Sequence, residues 1–133
     1  MASEHFGRLV LRLALGVLVL LHGISKMVHG PGFVATMVAN AHLPHVLTYG
    51  VYVGEVLAPA LIILGLWTRP AALIVCFNML MAVYLVHRGQ LMSLNETGGW
   101  ALELQGFIFA TALALACLGA GRFSVAGDHG RLN

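Results

Sequence analysis

FGRLVLRLALGVLVLLHGISK, residues 6–26, sets an apolar run of membrane length against Arg12, His22 and Lys26. Carried on to Met27 the run is about 22 residues, or roughly 33 Å of helix, which matches the hydrocarbon thickness of a bilayer. At about 100° per residue the three polar side chains fall within roughly an 80° arc. A helix with one polar stripe in so apolar a chain turns that stripe toward other helices rather than toward lipid. No small-residue cleavage site follows Leu21, and further apolar runs come later, so the stretch reads as a first transmembrane helix rather than a signal peptide.

The composition agrees. Of 133 residues, 59% are hydrophobic and only 9% charged, with a mean hydropathy of +0.90. Soluble domains carry about a quarter charged residues, so a water-facing shell cannot be assembled here. The net charge of +2 comes from scattered residues, which excludes a nucleic-acid surface. Cys76 and Cys117 sit in separate apolar runs and form no Cys-x-x-Cys pair, so structural thiols are expected.

After the first run, Gly30-Pro31-Gly32 and Leu43-Pro44-His45 bracket a segment in which Phe33, Val34, Met37, Val38 and Ala41 recur at helical spacing. That spacing predicts a short interfacial helix. A second span carries Glu55 at its middle and Pro59 four residues on. Proline has no N–H, so the Glu55 carbonyl loses its usual partner and a kink is expected. Trp67-Thr68-Arg69-Pro70 turns into a third span with Asn78 at its centre, which reads as a helix-to-helix hydrogen bond, and His87 at its end. A polar connection containing the sequon Asn95-Glu96-Thr97 leads to a fourth span with Glu103 and Gln105 near its start. Gly106, Ala110 and Ala114 form a small-residue stripe that would admit a neighbouring helix and turn Glu103 inward. Trp67 and Trp100 read as interfacial anchors, and Arg12 and Arg69 as arginines near an interface, with Arg12 able to bond inside the bundle.

The expected fold is all-α: a single domain over residues 1–133, a four-transmembrane-helix bundle with spans at about 6–27, 46–67, 71–88 and 100–119, and the short interfacial helix in the first loop. Five of the seven basic residues fall on one side if the N-terminus is cytoplasmic, which favours both termini inside. His22, Lys26, Glu55, His87, Glu103 and Gln105 then lie in the outer leaflet, where they are expected to share one site.

The chain resembles the DoxX family of small four-helix membrane proteins. The likeness rests on Arg12-Leu13-Ala14-Leu15-Gly16 leading into His22-Gly23-Ile24-Ser25-Lys26, the Gly-Pro-rich first loop, and Glu55. Leu64-Gly65-Leu66-Trp67-Thr68-Arg69, Glu103-Leu104-Gln105 and Gly119-Ala120-Gly121-Arg122-Phe123-Ser124 complete it. Where many members place Ser-x-Asp after the final arginine, this chain reads Ser124-Val125-Ala126-Gly127-Asp128. The resemblance implies a bundle in a bacterial inner membrane. It implies less about chemistry, although a related subunit type is associated with thiosulfate:quinone oxidoreductase.

The polar cluster suggests a quinone site, with His22 or Lys26 bonding a carbonyl and Glu55 or Glu103 as proton partner. His87 and Gln105 would help hold the ring. No flavin, nicotinamide or paired-cysteine motif is present, so electrons would come from a redox partner subunit. Three alternatives stay open: a polar network that only holds helices together, haem or metal held by His22, His87, Glu55 and Glu103, and a solute pathway requiring a homo-oligomer.

Overall fold

The structure is a computed structural model and describes residues 2–30, 32–87, 89, 92–94, 96–127 and 130–133, without the side chains of Val86 and His87. Among these residues the regular elements are all helices, apart from an isolated bridge between Leu94 and Trp100. Helix α1 is Ala2–His29, α2 is Gly32–Asn40, α3 is Leu47–Leu64, α4 is Thr68–Leu85 and α5 is Glu103–Leu118. The helix predicted for the first loop is α2. The sequon asparagine, Asn95, and Asp128 lie outside the described residues.

Helices α1, α3 and α4 are each long and apolar enough to cross a membrane. Within their most apolar windows only 28–33% of residues are buried in the chain, so most of that apolar surface faces outward. Phe6, Leu21, Phe77 and Phe107 are all at least 57% exposed, an arrangement that suits lipid and not water. Helix α5 is apolar but has 16 residues, about 24 Å of helix. It begins at Glu103 rather than Trp100, because residues 100–102 turn: Ala101 N–H bonds the Ser93 carbonyl and Glu103 N–H the Trp100 carbonyl.

The core is shared by α1, α3, α4 and α5, through residues such as Leu15, Val19, Ile62, Val75, Ala112 and Leu115. Small side chains draw the helices together. On α1, Gly16 and Gly23 lie seven apart on the buried face with Arg12 and Val19. A Cβ at position 16 would run into Ile63, and one at position 23 into the Glu55 carbonyl. These two glycines let α3 lie directly against α1.

Helix α3 is α-helical over Leu47–Tyr52, takes a π turn over Val53–Leu57, and is α-helical again over Ala58–Leu64. Pro59 cannot donate to the carbonyl four residues back. The interruption expected there takes the form of this wider turn, in which Ala58 N–H bonds the Val53 carbonyl.

The end of α3 is closed with every final carbonyl engaged. Gly65 adopts the left-handed conformation, φ 75°, and a Schellman arrangement follows: Leu66 N–H bonds the Leu61 carbonyl and Gly65 N–H the Ile62 carbonyl. Arg12 supplies the next donors. Its Nε bonds the Ile62 carbonyl at 2.9 Å and its Nη2 the Ile63 carbonyl at 2.8 Å. Val125 N–H takes the Leu64 carbonyl at 2.9 Å. The remaining Arg12 donor, Nη1, bonds the carbonyls of Ala120 and Phe123 at 3.2 and 2.6 Å. Arg12 is only 1% exposed, so it is a buried hub, bonded inside the bundle as the polar stripe of α1 allowed.

Arg12→Ala removes the donors from up to four carbonyls and should destabilise the protein by about 3 kcal/mol or more. Arg12→Lys should recover only part, because an ammonium lacks the planar fork. Thermal unfolding in detergent measures both, and an alanine variant as stable as the parent would refute the hub.

Candidate functional site

At the other end of the α1–α3 seam lies an ion pair. Side chains on a helix lean toward its N-terminus. Lys26 therefore reaches back about one turn to the level of Gly23, where α3 comes closest. The π turn presents Glu55 there, buried, with its side chain 4% exposed against 33% for Lys26. Lys26 Nζ donates to Glu55 Oε1 at 2.8 Å. It also lies 2.7 Å from Oε2, an ionic contact outside hydrogen-bond geometry, since Oε2 receives no directed hydrogen bond from the described residues.

The third member is Asn78 on α4, whose Nδ2 donates to Glu55 Oε1 at 3.0 Å. A Cβ on Gly54 would lie 2.7 Å from the Asn78 amide carbon, so only glycine permits this approach. The carboxylate thus meets one helix on each side, through Gly23 and Gly54. The sequence points to Asn78 as an interhelical hydrogen bond, but not to Glu55 as its partner. The signal was there in a mid-span asparagine and in the Gly54-Glu55 pair.

Two cavities flank the ion pair. One, of about 150 Å³, lies between α2, α3 and α4; Lys26, Glu55 and Asn78 are its polar residues and its other walls are apolar. The second, of about 310 Å³, borders α1, α4 and α5 and is lined by His22, Lys26, Glu55 and Gln105 among apolar residues. Lys26, Phe33, Glu55 and Ala82 line both, so the ion pair stands in the wall between them.

His22 is exposed on α1 and donates Nδ1–H to the Leu18 carbonyl at 2.8 Å. That bond fixes the tautomer of the neutral ring and leaves Nε2 as its acceptor. Glu103 is placed differently from the sequence expectation. It is exposed at the first turn of α5 and lines neither cavity. The small-residue stripe that was to turn it inward faces out: Ala110 and Ala114 are exposed, and Gly106 packs beneath the ring of Trp100. Ile108, Ala112 and Leu115 form the buried face instead. The side chain of His87 is outside the described residues. Among described residues no group of three or more His, Cys, Asp and Glu comes together as a potential metal site.

The arrangement offers a desolvated carboxylate, an ammonium with further N–H groups beyond the one given to Glu55, and apolar space on either side. It can hold a polar atom of an otherwise apolar molecule and exchange a proton with it.

Among curated proteins and among solved structures, nothing matches this chain. The family model DoxX matches residues 7–88, a stretch that holds Arg12, His22, Lys26, Glu55 and Asn78 and ends before α5. With most of its length matched and its long apolar helices turned outward, the chain belongs to the DoxX family of membrane proteins.

Proposed function

We propose that this protein crosses a bacterial inner membrane four times, with both termini cytoplasmic, and serves as a quinone-linked accessory subunit. In this reading α5 is the fourth span and all 133 residues form one domain. The observation that carries the proposal is the Lys26–Glu55 pair at the polar end of an otherwise apolar cavity. A quinone needs an apolar slot, a donor for a carbonyl and a group that exchanges protons. Lys26 keeps donors to spare for the carbonyl, and Glu55 is placed to take or return a proton beside it. A bound quinone would supply the electron-accepting ring, while electrons would come from a redox partner subunit. His22 and Gln105 border the second cavity, on the other side of the pair.

A second reading rests on the bonds to Glu55 Oε1, where Lys26 and Asn78 both donate. That network joins α1, α3 and α4 without any ligand, as polar groups do in membrane bundles.

The two readings separate experimentally. The quinone site predicts quinone in the lipid extract of detergent-purified protein and a rise in melting temperature on adding a quinone analogue. Absence of both would leave the structural network. The pair itself is checked by a double-mutant cycle. Glu55→Ala should destabilise the wild type more than it destabilises Lys26→Met, with a coupling of about 1–3 kcal/mol. Additive losses would show that the two side chains are not partners.

A further inference from the structure

We infer that the end of the bundle closed by Arg12 binds the headgroup of an anionic phospholipid, through Arg8 and Arg69 with Arg122 at its edge. This site is separate from the Lys26–Glu55 pair and does not depend on a quinone.

Three segments bring the cations together. Arg8 lies one turn before Arg12 on α1, Arg69 in the first turn of α4, and Arg122 in the segment after α5. The backbone of Gly119-Ala120-Gly121 joins their surroundings. A Cβ at Gly119 would lie 3.2 Å from Arg69 Nε, and one at Gly121 would lie 3.1 Å from Arg8 Cδ. Positions 119 and 121 are at most about 7 Å apart, so both side chains border one small patch. Arg122 N–H bonds His5 Nδ1 at 3.2 Å, which ties the third cation to the start of α1.

The patch lacks a counter-charge. Among the described residues no side-chain carboxylate pairs with Arg8, Arg69, Arg122 or Arg131. Arg69 Nε is buried without a hydrogen-bond partner among them. The nearby acceptors serve other donors: the Leu132 carbonyl takes Arg69 N–H, the Asn133 carbonyl takes Ala120 N–H, and Asn133 Oδ1 takes both donors of Thr68. Arg69 also sits at the N-terminus of α4, where the helix dipole disfavours a cation and favours an anion. Phe6, Trp67 and Val125 are exposed and apolar beside these arginines. Cations bordered by lipid-facing surface suit a molecule with a phosphate head and acyl chains, as basic patches at membrane helix ends do. A soluble acidic partner would have to cover that apolar collar as well.

Trp67, two residues before Arg69, reports on this end of the bundle, and Trp100, just before α5, on the other. The full chain is reconstituted in phosphatidylcholine vesicles, and brominated phosphatidylglycerol is compared with brominated phosphatidylcholine as a quencher of tryptophan fluorescence. Trp67 is read in Trp100→Phe, and Trp100 in Trp67→Phe. The anionic lipid should be preferred by at least about fivefold at Trp67 and by less than about twofold at Trp100. Arg8→Gln combined with Arg69→Gln should bring the preference at Trp67 below about twofold, and the corresponding pair of lysine substitutions should keep most of it. Equal quenching by the two lipids at Trp67, or the same preference at both tryptophans, overturns the inference. So does a preference that survives the glutamine pair, or one that the lysine pair loses as fully. Inorganic phosphate that abolishes the preference more effectively than chloride of equal ionic strength marks a site for free anions and overturns the lipid assignment.

Discussion

A guanidinium buried in an apolar protein must find acceptors for its N–H groups, and the solution found for Arg12 organises the whole molecule. All four of its hydrogen bonds to described residues end on backbone carbonyls: two from the last turn of α3, two from the segment after α5. Carbonyls at a helix C-terminus are unpaired by construction and carry the negative end of the helix dipole. A cation there answers two needs at once. The charge is stabilised by oriented dipoles, and the helix end is closed without water. Because the acceptors come from two segments, Arg12 ties α1, α3 and the C-terminal tail into one piece. Val125 N–H on the Leu64 carbonyl and the Ser124 hydroxyl on the Gly121 carbonyl shape that tail around it.

Fixing α1 against α3 at this end constrains the seam at the other. Gly16 and Gly23 keep the two helices in close approach for about 10 Å of rise between them. The register that places Gly16 on Ile63 also places Gly23 on the Glu55 carbonyl. Lys26 then needs only its ordinary backward lean to reach Glu55. The π turn completes the placement, since Gly54 and Glu55 are both buried in it, the glycine against Asn78 and the carboxylate between α1 and α4.

Parts of this arrangement were legible in the sequence, and the parts that were not share a physical cause. Outward apolar surface and helix punctuation are local properties, so the long helices and α2 could be read from periodicity and from Gly-Pro signals. The common face of Arg12 and Lys26 follows from helical geometry alone. The acceptors of Arg12 do not, because Ala120 and Phe123 lie 108 and 111 residues away. The inward face of α5 differs from the one its small residues predict for a different reason. That helix is apolar all round, so hydrophobicity gives no contrast between its faces. Packing chose Ile108, Ala112 and Leu115, and Glu103 turned out with Ala110 and Ala114. Asn78 was legible as a polar residue in mid-span, but its partner depends on how closely Gly54 lets α4 approach.

The ion pair is hard to explain by stability alone. Burying a carboxylate and an ammonium costs several kcal/mol per ion, and mutual attraction recovers that only with good geometry and full hydrogen bonding. Here Oε2 of Glu55 has an ionic contact but no directed bond from the described residues, and Lys26 remains one-third exposed with N–H groups beyond the one those residues engage. A network built only to hold helices would close its valences and pack its surroundings. This one stands between two cavities and keeps part of its bonding capacity unspent. The π turn points the same way, because such bulges occur frequently at functional sites and this one presents the carboxylate. Arg12 supplies the contrast within the same chain: every donor atom spent and almost no exposure. Of the polar groups in the α1 stripe, Arg12 is built as structure, and Lys26 retains the capacity that a ligand would use.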